Sequence, residues 1–373
     1  MKFKADRATL LRALAHVQSV VEKRNTIPIL ANVLLDIRDG RLSLTATDME
    51  IAVVEDVAAS TARDGRCTAP AGTLYDIVRK LPEGAEIELD HPGGDAQLSL
   101  RAGRYATSLV VLPADDFPSM TAGALPHKFQ LGAQVLRGLI DRTRFAISTE
   151  ETRYYLNGIY LHATTSDGQD VLRAVATDGH RLARVQQDLP PGARGMPGVI
   201  VPRKTVTELR KLLDESQGAI DIALSDTRIQ FTAGPVTLTS KLIDGTFPDY
   251  ERVIPRDNDK VLRVGKQDFA NAVNRVAAIS SERSRPVKLS LARDLLTLSA
   301  ASPEQGTASE EIDDGLVYTS TPLEIGFQAR YLNDITDVIG QHVEFRFSDG
   351  SAPTVVQDAD DAAAIYVLMP MRV

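Results

Sequence analysis

Apolar residues recur at helical spacing in several separate stretches of this chain. Leu10, Leu14, Val17 and Val21 form one such stripe, and a second lies between residues 206 and 213. Because side chains three and four positions apart share one face of a helix, these stripes predict amphipathic helices with one buried face. Six helices are predicted in this way, with their flanking turns, at 6–24, 71–81, 132–144, 202–214, 266–285 and 328–339.

Between the predicted helices, apolar and polar residues alternate along short runs. The clearest runs are 41–46, 220–224 and 343–347. An alternation of period two is typical of a strand with one buried and one solvated face. Turns rich in Gly and Asp separate these strands, as at 38–40 and 348–350. The pattern therefore predicts an α+β fold, with the helices gathered on one side of antiparallel sheets.

The chain also repeats itself with a period of about 130 residues. The repeated segments are a strand running into a helix at 3–10, 129–136 and, less clearly, 262–269; Ala-Thr-Asp at 46–48 and 176–178; and a loop at 112–118 and 242–248. A period this long is a whole domain rather than a solenoid unit. We therefore predict three similar domains in series, at 1–122, 123–255 and 256–373, which favours a symmetric scaffold over an enzyme.

Composition narrows the class of protein. No run of about 18 apolar residues is present, and the first six residues, MKFKAD, lack the apolar core of a signal peptide. The single cysteine, Cys67, excludes an internal disulfide framework and a cysteine-cluster metal site. We expect a cytoplasmic protein with no cofactor and no metal.

Charge is distributed unevenly along the chain. The six predicted helical segments hold 18 Lys and Arg against 10 Asp and Glu, an excess of +8 in a chain of net charge −8. The strands and loops are therefore acidic. Basic side chains on solvated helix faces are ordinary by themselves. On repeated domains, however, they predict a positive surface that follows phosphates without reading sequence, which favours binding DNA by enclosing it.

Five motifs carry a more specific signal. They are RYYLNG at 153–158, ATDGHRL at 176–182, VPRK at 201–204, SKLIDGTFPDY at 240–250 and YVLMPMR at 366–372. In this order, and with the match spanning all 373 residues, the chain resembles the bacterial sliding clamp, the beta subunit of DNA polymerase III. The resemblance implies three clamp-type domains per chain, antiparallel sheets outside and helices inside, and two chains closing head to tail around duplex DNA.

The resemblance also implies partners and a site. The expected function is to tether the replicative polymerase to DNA without catalytic activity of its own. Polymerases, the clamp loader and repair proteins would bind by short peptides in a hydrophobic cleft between the second and third domains. Carried over residue by residue, the cleft lining is Arg153, Tyr155, Leu156, Thr177, Gly179, His180, Arg181, Leu182, Pro248, Arg252, Val253, Val367, Leu368, Met369, Pro370, Met371 and Arg372.

Positions that would face the DNA follow from the same resemblance. They are Arg24, Tyr154, Arg203, Lys204, Arg283 and Arg285. The chain departs from the family pattern at Glu150, where some members present an uncharged side chain that contacts DNA, and at Gln328, where the pattern has asparagine at the cleft rim. The match also slips near 351–355, and no role is assigned there.

Two other functions remain open from the residues. Asp178 and His180 could belong to a hydrolase site, but the chain contains no nucleophile elbow, Walker A loop or HExxH motif. A monomeric peptide-binding protein could use the same cleft without DNA. A hydrolase would differ from a clamp because it needs a nucleophile or a metal. A monomeric peptide-binding protein would differ because it does not close into a ring.

Overall fold

The computed structural model describes residues 1–22, 26–94, 97–120, 123–280 and 285–372. Within these residues each of the six predicted helices is present. Their bounds are α1 (Arg7–Gln18), α2 (Ala71–Lys80), α3 (Ala133–Asp141), α4 (Arg203–Glu215), α5 (Lys266–Ala277) and α6 (Ala329–Asp337). The second apolar stripe is confirmed on α4, where Val206, Leu209, Leu212 and Leu213 are all buried.

The first helix shows how local chemistry sets its ends. Asp6 caps α1 by accepting a hydrogen bond from the backbone N–H of Thr9 at 3.0 Å. At the other end, the Ser19 hydroxyl donates to the carbonyl of His16 at 2.7 Å. The helix stops at Gln18, so the next buried residue is Val20, and the prediction that Val21 continues the stripe is wrong. A stripe extended past the end of a helix loses its phase.

The chain divides into two compact units. The first contains residues 1–136, 190–197 and 204–242, and the second contains residues 137–189, 198–203 and 243–373. Every strand pair within the described residues is antiparallel. The predicted α+β class is therefore confirmed.

The first unit is built on two sheets. The smaller has the order β5 (Ser60–Arg63), β1 (Lys2–Asp6), β7 (Glu86–Asp90), β8 (Leu98–Ala102) and β9 (Tyr105–Leu109). The larger has the order β10 (His127–Gly132), β15 (Ala219–Leu224), β16 (Arg228–Ala233), β17 (Val236–Lys241), β4 (Ile51–Ala58), β3 (Arg41–Thr47), β2 (Asn32–Arg38) and β6 (Gly65–Pro70). Helices α1 and α2 pack against each other, and α1 also packs on β3 and β4.

The second unit has the same plan. Its larger sheet has the order β14 (Val199–Pro202), β11 (Gly158–Ser166), β12 (Gln169–Thr177), β13 (Arg181–Asp188), β26 (Ala364–Leu368), β25 (Thr354–Asp358), β24 (His342–Phe347), β18 (Lys260–Gly265) and β22 (Val317–Tyr318). The smaller has the order β21 (Gly306–Ile312), β20 (Leu295–Ser302), β19 (Pro286–Ala292) and β23 (Leu323–Gln328). Helices α5 and α6 pack together, and α5 lies on β20 and β21.

The predicted repeat is visible in the order of elements. A strand leads directly into a helix at β1 and α1, at β10 and α3, and at β18 and α5. The predicted strands at 41–46, 220–224 and 343–347 lie within β3, β15 and β24. Within each unit, the large sheet joins strands from two repeats. Leu238 of β17 pairs with Val53 of β4 in the first unit, and Leu182 of β13 pairs with Val367 of β26 in the second.

Two features are absent from the residues that the structure describes. None of their helices combines the length and the apolar character that crossing a membrane requires. No group of three or more His, Cys, Asp or Glu side chains in these same residues is arranged to hold a metal ion.

Candidate functional site

The Ala-Thr-Asp motif at 176–178 forms a tight turn between β12 and β13. The Thr177 hydroxyl donates to the carbonyl of Arg181 at 2.7 Å and accepts from the N–H of Gly179 at 3.1 Å. Asp178 Oδ1 accepts from the N–H groups of His180, at 2.9 Å, and Arg181, at 3.0 Å. These bonds satisfy the backbone without a longer loop.

The first copy of the motif makes the same turn between β3 and β4. Thr47 donates to the carbonyl of Ile51 at 2.8 Å, and Asp48 Oδ1 accepts from the N–H of the same residue at 2.8 Å. Met49, with φ of 76°, stands where the second copy has Gly179, with φ of 88°. A Cβ on Gly179 would lie 2.5 Å from Nη1 of Arg153, so a larger residue at this position would displace the end of that side chain.

A cavity of about 350 Å³ lies next to the second turn, within the second unit. The residues that line it are Arg153, Tyr155, Leu156, Thr177, Gly179, Arg181, Leu182, Pro248, Asp249, Tyr250, Val253, Val367 and Met369. All but Asp249 and Tyr250 belong to the predicted cleft. We refer to this cavity as the cleft.

The walls of the cleft are apolar. Leu156, Leu182 and Val367 belong to a buried cluster, and the last two face each other across the β13–β26 pair. At the edge of the cleft, Val253 and Met369 are 53% and 44% exposed. Buried apolar walls beside exposed apolar side chains are typical of a surface that receives an apolar group.

Tyr250 forms a wall of the cleft and is held from behind by polar groups. Its hydroxyl accepts from Nη1 of Arg173 at 3.3 Å and lies 2.9 Å from Nε2 of His162. Since Arg173 can only donate, the Tyr250 hydrogen is available to Nε2 of a neutral His162. Burial, reinforced by the charge of Arg173, lowers the pKa of His162 to about 4. The ring of His162 stacks on that of Tyr160, with centroids 4.6 Å apart.

This arrangement predicts a pH dependence of stability. The pKa of His162 is about 4 in the folded chain against 6.5 as its ordinary value, so the unfolded chain binds more protons between these values. Stability from this residue is therefore complete above pH 6.5 and is lost as the pH falls toward 4. Because the ring is partly exposed, we expect a loss of about 2 kcal/mol rather than the full value of the shift.

The measurement is the unfolding free energy of the full chain in urea at several pH values, followed by tyrosine fluorescence. His162→Gln should flatten the profile between pH 4 and 6.5. His16→Gln is the matched control, because burial opposes but the carboxylates of Glu55 and Glu215 raise the pKa of His16. The contribution of His16 to the unfolding free energy is complete below pH 6.5 and is lost as the pH rises through its raised pKa. Equal slopes for His162→Gln and the unmodified chain below pH 6.5 would contradict the assignment.

Arg181 is a structural residue of the cleft wall. It is 5% exposed, donates from Nε to Asp178 at 3.1 Å and from Nη2 to the carbonyl of Phe145 at 2.6 Å, and its Nη1 is paired with Asp334. Its guanidinium also lies over the ring of Tyr331, 4.4 Å from the centroid. All three nitrogens therefore have internal partners, which fixes the turn at 177–181.

Arg153 is the second arginine of the cleft, and it is more exposed. Its Nε and Nη2 donate to the two carboxylate oxygens of Glu150 at 2.8 and 2.7 Å. Nη2 also donates to the carbonyl of Asp178 at 3.0 Å. The hydrogen bonds to Glu150 raise the pKa of Arg153, and the pKa of Glu150 is lowered by the same contact.

Six predicted cleft residues do not line the cavity: His180, Arg252, Leu368, Pro370, Met371 and Arg372. Leu368 is fully buried on the opposite face of β26 from Val367, because side chains alternate along a strand. Arg252 is paired with Asp249 at 2.7 Å. Met371 donates its N–H to Gly326 at 2.9 Å. As contacts of a bound peptide, these six residues stay a prediction.

Two lining residues were not predicted, Asp249 and Tyr250. Both belong to the quoted motif at 240–250, and an aromatic residue two positions after Pro248 was the available signal. Strand alternation in the YVLMPMR motif was the signal that separates Val367 and Met369 from Leu368.

The residues predicted to contact DNA are placed as follows. Arg24 and Arg283 lie outside the described residues. Tyr154 is 53% exposed, and Arg203 begins α4 and donates its backbone N–H to the carbonyl of Asn157 at 2.9 Å. Arg285 is exposed, with φ of 40°.

Lys204 is already paired within its own unit. It forms ion pairs with Glu22, at 3.1 Å, and with Asp48. Burial opposes the charged form, but these two carboxylates raise the pKa of Lys204. A phosphate would have to compete with them for this side chain.

The geometry does not favour the hydrolase alternative. Asp178 accepts hydrogen bonds from the backbone N–H of His180, at 2.9 Å, and from Arg181, but its carboxylate has no hydrogen bond to the His180 ring within the described residues. That ring is exposed and stacks on Tyr331, with centroids 6.4 Å apart. Asp178 therefore stabilises the turn rather than orienting a base.

Comparison with known proteins gives the family. Models of the N-terminal, central and C-terminal domains of the DNA polymerase III beta subunit match residues 1–121, 130–249 and 251–372. Three clamp domains in series therefore make up the chain. The beta sliding clamps of Caulobacter vibrioides (strain NA1000 / CB15N) and Escherichia coli (strain K12) are 51% and 38% identical to it, over 100% of both chains.

The solved structures that resemble this chain are also sliding clamps. A Caulobacter crescentus beta sliding clamp with bound polyethylene glycol superposes with a TM-score of 0.98 at 51% identity, over 100% of this chain and 99% of that one. A Bartonella birtlesii sliding clamp bound to griselimycin has a TM-score of 0.96 at 48% identity, over 100% of both. The chain belongs to the DNA polymerase III beta subunit family, the bacterial sliding clamps.

Proposed function

We propose that two copies of this chain close head to tail into a ring around duplex DNA and hold the replicative polymerase there. The observation that carries the proposal is the family match, which runs through all three clamp domains from residue 1 to residue 372. Tethering turns repeated rebinding of the polymerase into reattachment at a high effective concentration. The chain acts as a processivity factor, has no catalytic activity of its own and works in the cytoplasm.

The domain boundaries are proposed at 1–122, 123–255 and 256–373. The family-model ranges support them, since they end at residues 121 and 249 and the last begins at 251. The helices of each domain would line the hole, with the sheets outside. The basic excess on the predicted helical segments supports this orientation, because the inner surface must attract phosphates without binding a particular sequence.

The proposed inner surface includes Tyr154, Arg203, Lys204 and Arg285, with Arg24 and Arg283 assigned by the resemblance alone. An aromatic ring exposed beside basic groups can contact sugar and phosphate without reading base edges. Contacts of this type are individually weak, which suits a ring that moves along the duplex.

The cleft is the proposed docking site for partner proteins. Its apolar walls and exposed Met369 and Val253 suit a Leu or Phe side chain presented by a short peptide. Methionine adapts to anchors of different shape, because its unbranched thioether repacks easily. The replicative polymerase, the clamp loader and repair proteins would compete for this one site on each chain.

Ring closure requires two free strand edges, and the structure has them. β9 is at one edge of its sheet in the first unit, and β21 is at one edge of its sheet in the second. The exposed Arg104 comes directly before β9, whereas Glu310 and Glu311 lie on β21, where Glu310 is paired with Arg275 and Glu311 is exposed. Arg104 beside one edge and Glu311 on the other are therefore opposite in charge. Pairing β9 of one chain with β21 of another is a heterologous contact, and two such contacts close a ring.

The assembly is tested by sedimentation at micromolar concentration, where we expect a dimer. Tyr105→Glu places a carboxylate on the exposed β9 edge opposite the acidic β21 edge, so it should shift the chain to monomer, with at least a roughly tenfold weaker dimer. Ala62→Glu, on the other edge strand of the same sheet, is the matched control and should stay dimeric. A monomeric unmodified chain, or equal behaviour of the two variants, would refute this closure.

A further inference from the structure

The hydrogen-bonding capacity of Arg153 is largely used inside the protein. A guanidinium carries five N–H donors in a fixed planar fork. One donor on Nε and one on Nη2 bind the two carboxylate oxygens of Glu150, and the second donor on Nη2 binds the carbonyl of Asp178. Glu150 thus occupies the Nε–Nη2 edge, and the bond to Asp178 takes the Nη2 donor of the Nη1–Nη2 edge, so neither edge is free to bind a ligand carboxylate with two parallel bonds.

The remaining donors of Arg153 are the two on Nη1. Within the described residues they have no hydrogen-bond partner, and Nη1 is the atom closest to the position that a Cβ on Gly179 would take, at 2.5 Å. Both Arg153 and Gly179 line the cleft. A ligand that reaches this end of the cleft therefore meets one nitrogen with two hydrogens rather than a two-nitrogen fork.

The other charged groups around the cleft are also paired. The carboxylate of Asp178 binds Arg181, and that of Asp249 binds Arg252 at 2.7 Å. Arg181, the other arginine that lines the cavity, has a partner on each of its three nitrogens and therefore offers an incoming carboxylate no free fork. Such a carboxylate would also approach the negative charge of Glu150, whose pKa is held low by Arg153.

From this geometry we propose that Glu150 determines the specificity of the cleft, by making Arg153 select a neutral carbonyl over a carboxylate. A neutral amide or backbone carbonyl can accept from Nη1 while Glu150 keeps its two bonds. A carboxylate gains the same single bond but is repelled by Glu150. The inference rests on the proposed function, because it assumes that the cleft binds peptides. It assigns Glu150 a role in the selection of peptides, although its side chain does not line the cavity.

The test uses acetylated, amidated hexapeptides that contain two leucines and one glutamine, with the glutamine moved along the sequence. Each is paired with a version that carries glutamate at the same position. Titration is followed by calorimetry at low ionic strength. For the unmodified chain, at the position that meets Arg153, we expect the glutamine peptide to bind roughly three to ten times more tightly than its glutamate partner.

Three variants distinguish the cause. Glu150→Ala frees the fork, so the preference should disappear or reverse toward glutamate. Glu151→Ala removes the same charge one residue away without touching Arg153, and should keep the preference. Glu150→Ala combined with Arg153→Ala should show no gain for the glutamate peptide, which separates the fork from a change in net charge. Melting temperature and dimer mass are followed for each variant.

The outcomes distinguish a failure of this inference from a failure of the proposed docking site. Tight binding of both peptides without discrimination, or an unchanged preference in Glu150→Ala, would overturn the role of Glu150 and leave the docking site in place. A loss of preference in Glu151→Ala equal to that in Glu150→Ala would also overturn it. Failure of every peptide to bind the folded, unmodified chain would overturn the docking site and this inference together.

Discussion

Once loaded, the chain is expected to stay on a closed circular duplex far longer than on the same duplex after linearisation. A ring that encloses DNA is held by topology, so it leaves a circle only when it opens, but it leaves a linear molecule by sliding off an end. We expect retention times to differ by at least about tenfold. Direct affinity should contribute little, because the net charge of −8 repels the duplex outside the basic surface.

The measurement loads the chain on a nicked plasmid with a clamp loader from a related bacterium and isolates the complex by gel filtration. One half is then cut at a single site. Added salt should weaken direct phosphate contacts but change retention on the circle much less. Tyr105→Glu, in which ring closure is expected to fail, should be lost from both forms. Equal retention of the unmodified chain on circular and linear DNA would exclude enclosure.

Local features of the fold were predictable from the sequence because they depend on neighbouring residues. The stripe at Val206, Leu209, Leu212 and Leu213 predicts α4, and each of these side chains is buried. The Ala-Thr-Asp repeat could be recognised because short side chains at two positions satisfy one tight turn. The end of α1 could not be predicted from apolar periodicity, because it depends on polar contacts of the Ser19 side chain.

The pairing of strands that are distant along the chain could not be predicted from the pattern of apolar and polar residues. The contact of β17 with β4 joins residues almost 190 positions apart along the chain, and alternation alone does not choose a strand's partner. For this reason the repeat could be seen in the sequence, but the way in which two repeats share one sheet could not.

The candidate site also has residues that the sequence predicted and residues whose placement depends on the three-dimensional structure. The motifs named most of the lining, because the resemblance carries positions directly. They did not separate Leu368 from Val367, which requires knowing which face of β26 is buried against the cleft. They also treated Glu150 only as a departure from the DNA surface. Its two bonds to Arg153 depend on side-chain geometry, and a carboxylate three residues before an arginine outside a helix does not specify that geometry.

Met369→Ala is expected to weaken binding of the leucine-containing hexapeptide by roughly tenfold to a hundredfold, or about 1–3 kcal/mol. Met369 lines the cleft, is 44% exposed, and follows the strand that carries Val367. Truncation removes apolar surface from the mouth of the cleft. Its backbone N–H, which donates to the carbonyl of His180 at 2.9 Å, is unchanged. The fold and the β9 edge should therefore be preserved.

Met49→Ala is the matched control for this variant. Met49 is 46% exposed and lies in the first unit, in the turn that corresponds to the turn at Gly179. The variant therefore removes a similarly exposed methionine side chain that does not contact the cleft. Its peptide affinity should equal that of the unmodified chain. Calorimetric titration gives both affinities, and melting temperature and sedimentation report folding and dimer mass. If Met369→Ala bound the hexapeptide as tightly as Met49→Ala while folded and dimeric, the partner site would lie elsewhere on the chain.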